Sequence, residues 1–249
     1  MKAMILAAGL GTRLRPVTDT LPKILVQVAG IPAIDRLLDH LTRNSIAQVA
    51  INTHHLAEQV DRYVEELSLR LPQLTVRLFH EPDLLGTGGA LVNIRDFWGE
   101  EPLLVWNGDV LADVGTRAML KAHQASGALA TLLVQDRRET SHLLIDEADW
   151  VRGVESPQRG GRRVLADPVG DLRPLAFNGI SLLSPELLPR IERPAPFDLI
   201  DALLAVIADG GHIAAHDHGE GFWGTTGTAA ELLELETMLD KKQQQCLEP

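Results

Sequence analysis

Short, largely apolar segments alternate with amphipathic ones through the first half of this chain, and that alternation leaves few folds open. Residues 3–8, 48–52, 75–79 and 103–106 read as strands. Between them, residues 34–44 set Ile34, Leu37, Leu38 and Leu41 on one helical face, and residues 56–69 do the same with Val60, Val64 and Leu67. A third helix falls near residues 89–97. Strands that are apolar throughout need cover on both faces. The expected fold is therefore α/β, Rossmann-like, with three α/β/α layers and a mostly parallel central sheet. Ligands of such sheets gather beyond the carboxyl ends of the strands, so residues 9–23, 52–55 and 107–109 are expected to converge.

The second half is less regular. Residues 128–134 and 176–183 read as strands, 142–145 with 150–154 as a hairpin, and the Gly/Arg-rich stretch 156–164 as an exposed turn. Helices are expected at 185–191, 199–208 and 229–239, with short strands at 213–215 and 222–224. No linker or internal repeat interrupts residues 1–245. They read as one domain with two lobes, 1–125 and 126–245, and 246–249 as a tail.

Composition excludes several partners. The formal net charge is −11 over 249 residues, which argues against a nucleic acid polymer or an anionic membrane surface as partner. No apolar run approaches the roughly 20 residues that span a bilayer. The lone Cys246 cannot build an intrachain disulfide framework or a thiolate metal site. Lys2 and the apolar run after it look briefly like a secretory signal, but Gly9, Gly11, Arg13 and Arg15 follow at once. A first buried strand in a cytoplasmic protein, monomeric or homodimeric, is the expectation.

The most informative stretch runs from Leu6 to Thr18, with Leu21-Pro22-Lys23 after it. Ala7 and Ala8 leave space at the end of a buried strand. Gly9 and Gly11 let the backbone bend round a ligand and turn its N–H groups inward as an anion-binding nest. Arg13 and Lys23 add charge: a guanidinium fork suits a pyrophosphate, and an ammonium suits one oxygen between two groups. A dinucleotide fingerprint does not fit, because Leu14 stands where its third glycine would be, and Lys23 follows a proline rather than the glycine of a Walker A loop. The plainer alternative is a tight turn flanked by surface basic residues.

With Ala8-Gly9-Leu10-Gly11-Thr12-Arg13 and the later Pro22-Lys23, the chain resembles the sugar-phosphate nucleotidyltransferases. Asn52-Thr53-His54-His55, the stretch from Glu81 to Gly89, Asn107-Gly108-Asp109 and Phe177-Asn178-Gly179-Ile180-Ser181 follow in the family's order. The likeness is greatest to small uridylyl- or guanylyltransferases. It implies the nucleotide-diphospho-sugar transferase fold and a metal-dependent reaction in which a sugar 1-phosphate attacks the α-phosphorus of an NTP, giving a nucleotide-sugar and pyrophosphate. It also implies that Ala8, Gly9 and residues 10–12 hold the triphosphate, Arg13 the leaving pyrophosphate, and Lys23 the α-phosphate and the incoming phosphate.

Asp109, after a central strand and beside Asn107, is the expected ligand of Mg²⁺ (or Mn²⁺), which takes hard oxygen donors; an Asx-turn is the alternative. Gly88 and Gly89 are expected at the base or ribose, or else in a helix-entry turn. Asn52 and His54 fall where the family meets sugar or nucleotide, or form a satisfied polar strand end. Asn178 and Gly179 are expected to face the sugar.

Two departures stand out. The family carries Trp-x-Asp-x-Gly-Thr near its last helix, and Thr225 replaces that Asp here; Asp198 stands where some relatives carry a Lys. Asp217 and Glu220 are alternative ligands. These departures keep open a second reading, a nucleotide- or sugar-phosphate-binding homologue with impaired catalysis and a regulatory role.

Overall fold

A computed structural model describes residues 1–245; Cys246 and the rest of the tail lie outside the described residues. In chain order the elements are β1 (Lys2–Leu6), β2 (Gln27–Val28), β3 (Ile31–Pro32), α1 (Ala33–Arg43), β4 (Gln48–Thr53), α2 (Ala57–Arg70), β5 (Thr75–His80), α3 (Gly86–Asn93) and α4 (Arg95–Trp98). Then come β6 (Leu103–Asn107), β7 (Val110–Ala112), α5 (Thr116–Ser126), β8 (Ala130–Gln135), β9 (His142–Ile145), β10 (Val151–Ser156), β11 (Gly161–Val164) and β12 (Arg173–Leu183). The chain closes with α6 (Leu188–Ile191), α7 (Leu199–Ala208), β13 (Ile213–Asp217), β14 (Trp223–Thr225) and α8 (Ala229–Gln245). The fold is α/β.

The residues fall into two compact units, each discontinuous in sequence. The first holds Ala3–Leu84, Asn107–Asp113 and the stretch from Phe222 onward; the second holds Met1–Lys2, Leu85–Trp106 and Val114–Gly221. The division follows spatial packing and not a single boundary near residue 125.

In the first unit β1, β4 and β5 lie parallel, with Ala3 opposite Val49 and Gln48 opposite Thr75. Ala3, Met4, Ile5, Val49, Ala50 and Ile51 are wholly buried, as sheet positions covered on both faces require. Helix α1 presents Ile34, Leu37, Leu38 and Leu41 to the core, the face its periodicity predicts. Helix α2 buries Val60 and Leu67 and leaves Val64 half-buried. Two small antiparallel pairs complete the unit, β2 with β3 and β7 with β14, and α8 packs on β14 through the buried Leu235.

In the second unit β12 is the axis. It runs antiparallel to β6, β8 and β9, while β13 lies parallel to β8. The 142–154 hairpin forms as expected, β9 pairing with β10. The exposed turn expected over 156–164 is only partly one. Gly160 and Gly161, at φ +83° and +86°, reverse the chain so tightly that residues 161–164 pair with β10 as a strand. Its Arg-rich, solvent-facing ladder hides it from composition. Helix α5 also escapes the periodicity, because Thr116 and His123 share its buried stripe with Met119.

Among the described residues, Asp146 of the second unit is a fully buried carboxylate. It accepts from Arg152 Nε at 2.6 Å, from the Ala148 and Trp150 N–H groups at 3.0 and 2.9 Å, and from Val169 N–H at 3.1 Å. Burial alone would raise its pKa, but the bonds from Arg152, Trp150 and Val169 overcome that and hold it below the ordinary value. A depressed folded pKa stabilises the fold above the unfolded value and loses that contribution as pH falls through the folded one. Asp146→Asn leaves Arg152 uncompensated and is expected to cost roughly 3 kcal/mol, lowering Tm by roughly 6–12 °C at neutral pH. Thermal melts of both proteins should converge as pH drops below about 4; a constant gap down to pH 2 would contradict the assignment.

Candidate functional site

The segment after β1 is held open by a glycine that no other residue can replace. Gly11 has φ +62°, and a Cβ there would lie 2.8 Å from Thr18 Cγ2. Its carbonyl accepts from Leu14 N–H at 2.9 Å and from the hydroxyl of the buried Thr18 at 2.7 Å. Ala8 is buried, whereas Gly9, Leu10, Thr12 and Arg13 are exposed. Among the described residues, the N–H groups of Leu10, Gly11 and Thr12 have no hydrogen-bond acceptor in the chain. Backbone donors left open in a loop pinned from behind are suited to an anion.

Three strand ends are tied to this loop. Ala7 N–H donates to Asn52 Oδ1 at 2.7 Å, and Asn52 Nδ2 donates to Glu81 Oε1 at 2.8 Å, with Asn52 and Glu81 both buried. His54 Nδ1 donates to the Glu81 carbonyl at 2.7 Å, and His55 Nε2 to the Thr18 carbonyl at 3.1 Å. His54 also lines a cavity of about 540 Å³ at the amino end of α2, with Leu56, Gln59 and His80. Asn52 is thus a brace between strand ends, with its amide committed to protein groups.

Lys23 and Asp109 meet. The Lys23 ammonium lies 2.5 Å from Asp109 Oδ2, with side chains 15% and 25% exposed. Lys23 opens a short 3-10 turn after Pro22, anchored by the buried Ile24 and Leu25. Asp109 is set by Gly108, whose N–H donates to the Leu6 carbonyl at 2.9 Å; a Cβ on Gly108 would lie 2.9 Å from that same oxygen. Asn107 ends β6 half-buried. On the other side the Asp109 carbonyl accepts from Thr226 N–H at 2.8 Å, while Thr225 sits opposite Val110 in the β14–β7 pair. Thr225 is therefore close to Asp109 along the β14–β7 pair.

The remaining expected site residues belong to the second unit. Gly88 and Gly89 are buried in α3, and a Cβ on Gly88 would lie 2.2 Å from Phe197 Cε2. The close approach this glycine permits is made by that ring. Asn178 is fully buried, accepting from Arg137 Nε at 3.1 Å and donating to Gln135 Oε1 at 3.4 Å. Gly179 has φ +75° and sits where the register of β12 against β8 shifts between Phe177 and Ser181, a bulge position. Asp198 caps α7, accepting from the N–H groups of Ile200 and Asp201, and pairs with Arg159 at 3.1 Å. Asp217 accepts from Gly219 N–H at 2.9 Å and faces Arg173; Glu220 lies in the same unit.

Sequence reasoning missed Thr18, which buttresses Gly11, and Glu81, which holds Asn52 and His54. Glu81 had a visible signal, an acidic residue directly after a strand, but nothing in its spacing says that Asn52 is its partner.

A model of the nucleotidyl transferase family matches residues 2–145. The mannose-1-phosphate guanylyltransferase catalytic subunit beta of Danio rerio is 31% identical over 240 residues, covering 94% of this chain and 63% of that protein. The chain thus spans less than two thirds of that relative. The N-acetylmuramate alpha-1-phosphate uridylyltransferase of Neisseria meningitidis serogroup B is 31% identical over 251 residues, 96% of this chain and 98% of that one. Among solved structures, a UDP-glucose pyrophosphorylase from Acinetobacter baumannii superposes with a TM-score of 0.75 over 99% of each chain, at 21% identity, a likeness of fold.

The brace can be tested directly. Asn52→Ala removes the acceptor of the Ala7 N–H and a donor from the buried Glu81, and is expected to cost roughly 2–3 kcal/mol, a fall in Tm of roughly 4–12 °C. An unchanged Tm would show that the Asn52 amide is not structural.

Proposed function

The chain belongs to the nucleotidyl transferase family, and on that premise we propose that it transfers a nucleotidyl group from an NTP to a sugar 1-phosphate, releasing pyrophosphate. The observation that carries this reading is the Lys23–Asp109 pair at 2.5 Å in the same unit as the open N–H groups of residues 10–12. An oxygen of the sugar phosphate forms the new bond to the α-phosphorus, and the bond from that phosphorus to the bridging oxygen of the pyrophosphate breaks. The attacking oxygen is already anionic, so no base need remove a proton. What remains for the protein is positioning and charge stabilisation.

Each residue then has a role. The backbone donors of residues 10–12 hold the β- and γ-phosphates, with Ala8 and Gly9 leaving room for them. Arg13 takes the departing pyrophosphate with its fork of donors. Lys23, with three N–H donors, turns from Asp109 to bridge the α-phosphate and the incoming phosphate. The names of the relatives above favour a uridylyl or guanylyl donor.

The donor set fits a divalent cation of one kind. Among the described residues no group of three or more His, Cys, Asp and Glu side chains could hold a metal, and Thr225 offers only a neutral oxygen beside Asp109. Mg²⁺ is commonly held by one or two carboxylates with the rest of its shell from substrate phosphates and water. Asp109 would hold it here, and when bound it would neutralise charge on the triphosphate. Among the described residues no helix is long and apolar enough to cross a membrane; we place the protein in the cytoplasm, where nucleoside triphosphates are abundant.

Pyrophosphate release measured with each NTP against a panel of sugar 1-phosphates, with Mg²⁺ or Mn²⁺, tests the proposal. Saturable NTP binding without turnover across the panel would overturn it. Lys23→Ala is expected to lower kcat/KM by roughly 10²- to 10³-fold with a native circular dichroism spectrum. Asp109→Asn is expected to abolish metal-supported turnover, and EDTA to stop the wild-type reaction. Unaltered metal dependence in Asp109→Asn would remove Asp109 from metal binding.

A further inference from the structure

We propose that Glu231 is a positioning residue for Arg13, taking one edge of its guanidinium while the other edge meets pyrophosphate. The inference rests on the reading of Arg13 given above. Glu231 lies in the first turn of α8, where Thr228 Oγ1 accepts from its N–H at 3.2 Å. Thr228 and Glu231 have capping-box spacing, which alone would make Glu231 a helix-end residue. Its side chain goes further. Oε2 is buried and has no hydrogen-bond partner, and the hydroxyl of the fully buried Thr226 is in the same condition. A buried carboxylate oxygen that no group of the chain satisfies is unfavourable, and it leaves room for a donor from outside the helix.

The partner is across Gly227. A Cβ at Gly227 would lie 2.6 Å from Glu231 Oε2 and 3.4 Å from Arg13 Nη2, so those two atoms face one point and are at most 6.0 Å apart. Among the described residues Arg13 makes no hydrogen bond or ion pair; it is exposed and reaches over the glycine. A guanidinium carries five N–H donors in a planar fork and can serve two anions on two edges. Glu231 supplies the inner one. The two groups are not in hydrogen-bond contact here, but a carboxylate on that side favours the rotamers that keep the guanidinium over Gly227, and a narrower set of rotamers lowers the ordering cost of binding. A methyl group at Gly227 would meet only the ends of the Glu231 and Arg13 side chains, so it would displace them without distorting the backbone.

Calorimetric titration with inorganic pyrophosphate separates this from a helix-capping role. Glu231→Gln keeps the shape and loses the charge; it is expected to weaken pyrophosphate binding by roughly 5- to 20-fold in the wild-type background and to leave binding unchanged in an Arg13→Ala background, the signature of coupled residues. In turnover the same variant should raise KM for the NTP more than it lowers kcat. Gly227→Ala, whose methyl group displaces Glu231 Oε2 while keeping its charge, is expected to weaken pyrophosphate binding as well and guards against a destabilised Glu231→Gln. Equal weakening by Glu231→Gln with and without Arg13, unaltered affinity in both single variants, or no pyrophosphate binding by the wild type would each overturn the inference. Pyrophosphate binding with the expected coupling but no turnover on any sugar 1-phosphate would uphold it while overturning the catalytic reading.

Discussion

Gly108 and the Leu6 carbonyl approach so closely that no side chain fits between them, and the arrangement of the first unit's polar residues follows from that contact. The N–H···O distance is 2.9 Å, and a Cβ would stand equally near the same oxygen. Asp109 is thereby carried beside the end of β1, where the glycine loop begins. Thr226 then fixes the Asp109 carbonyl from the opposite side, and the Lys23 ammonium meets its carboxylate. Segments near residues 6, 108 and 226 are brought together by backbone contacts whose geometry is nearly rigid, and Lys23 joins them through its side chain. A site built this way needs few buried side-chain networks, since the positions of its charged groups are inherited from the strands.

Glycine has different work in different places, and only the structure separates the cases. Gly11 has both a positive φ and a crowded Cβ position, so the conformation and the space demand it together. Gly9 has neither constraint, and its freedom is available to a ligand. Gly88 is required by the Phe197 ring and Gly179 by a shift of register in β12. A glycine-rich motif read from sequence says that something comes close. It does not say whether that something is a substrate or an aromatic side chain.

The parts of the fold written in the sequence are those whose burial is simple. The apolar face of α1 and the cores of β1 and β4 stand out because every inward position is aliphatic. Helix α5 is hidden by the buried Thr116 and His123, β11 by its exposed arginines, and the two-residue strands β2 and β3 by their length. Among the candidate site residues, the nearness of Lys23 to Asp109 was legible because both follow strand ends in an α/β order. The commitment of Asn52 to Ala7 and Glu81 was not, since an amide at a strand end looks the same whether it binds the chain or a ligand. Nothing in the pattern around Glu231 announces its closeness to Arg13, which depends on a side chain that Gly227 does not have.

The electrostatics of the first unit bear on how an acidic protein can take a polyanion. A formal charge of −11 sets a repulsive background for any triphosphate. Against it stand local terms of shorter range, the open N–H dipoles of residues 10–12, Arg13 and Lys23. At rest Lys23 is neutralised by Asp109, so the pair adds no net charge to the approach. Thr225 matters in the same way. A second carboxylate beside Asp109 would favour a resident cation, but without one it would place an uncompensated negative charge next to the phosphates. With Thr225 in that position, Asp109 would be the one carboxylate to hold a cation that arrives with the nucleotide, and Lys23, relieved of that carboxylate, would be free to turn toward the phosphates. On the proposed reading, ligand binding and activation of Lys23 are one electrostatic exchange, and its range is short enough for the charge on the rest of the surface to have little influence on it.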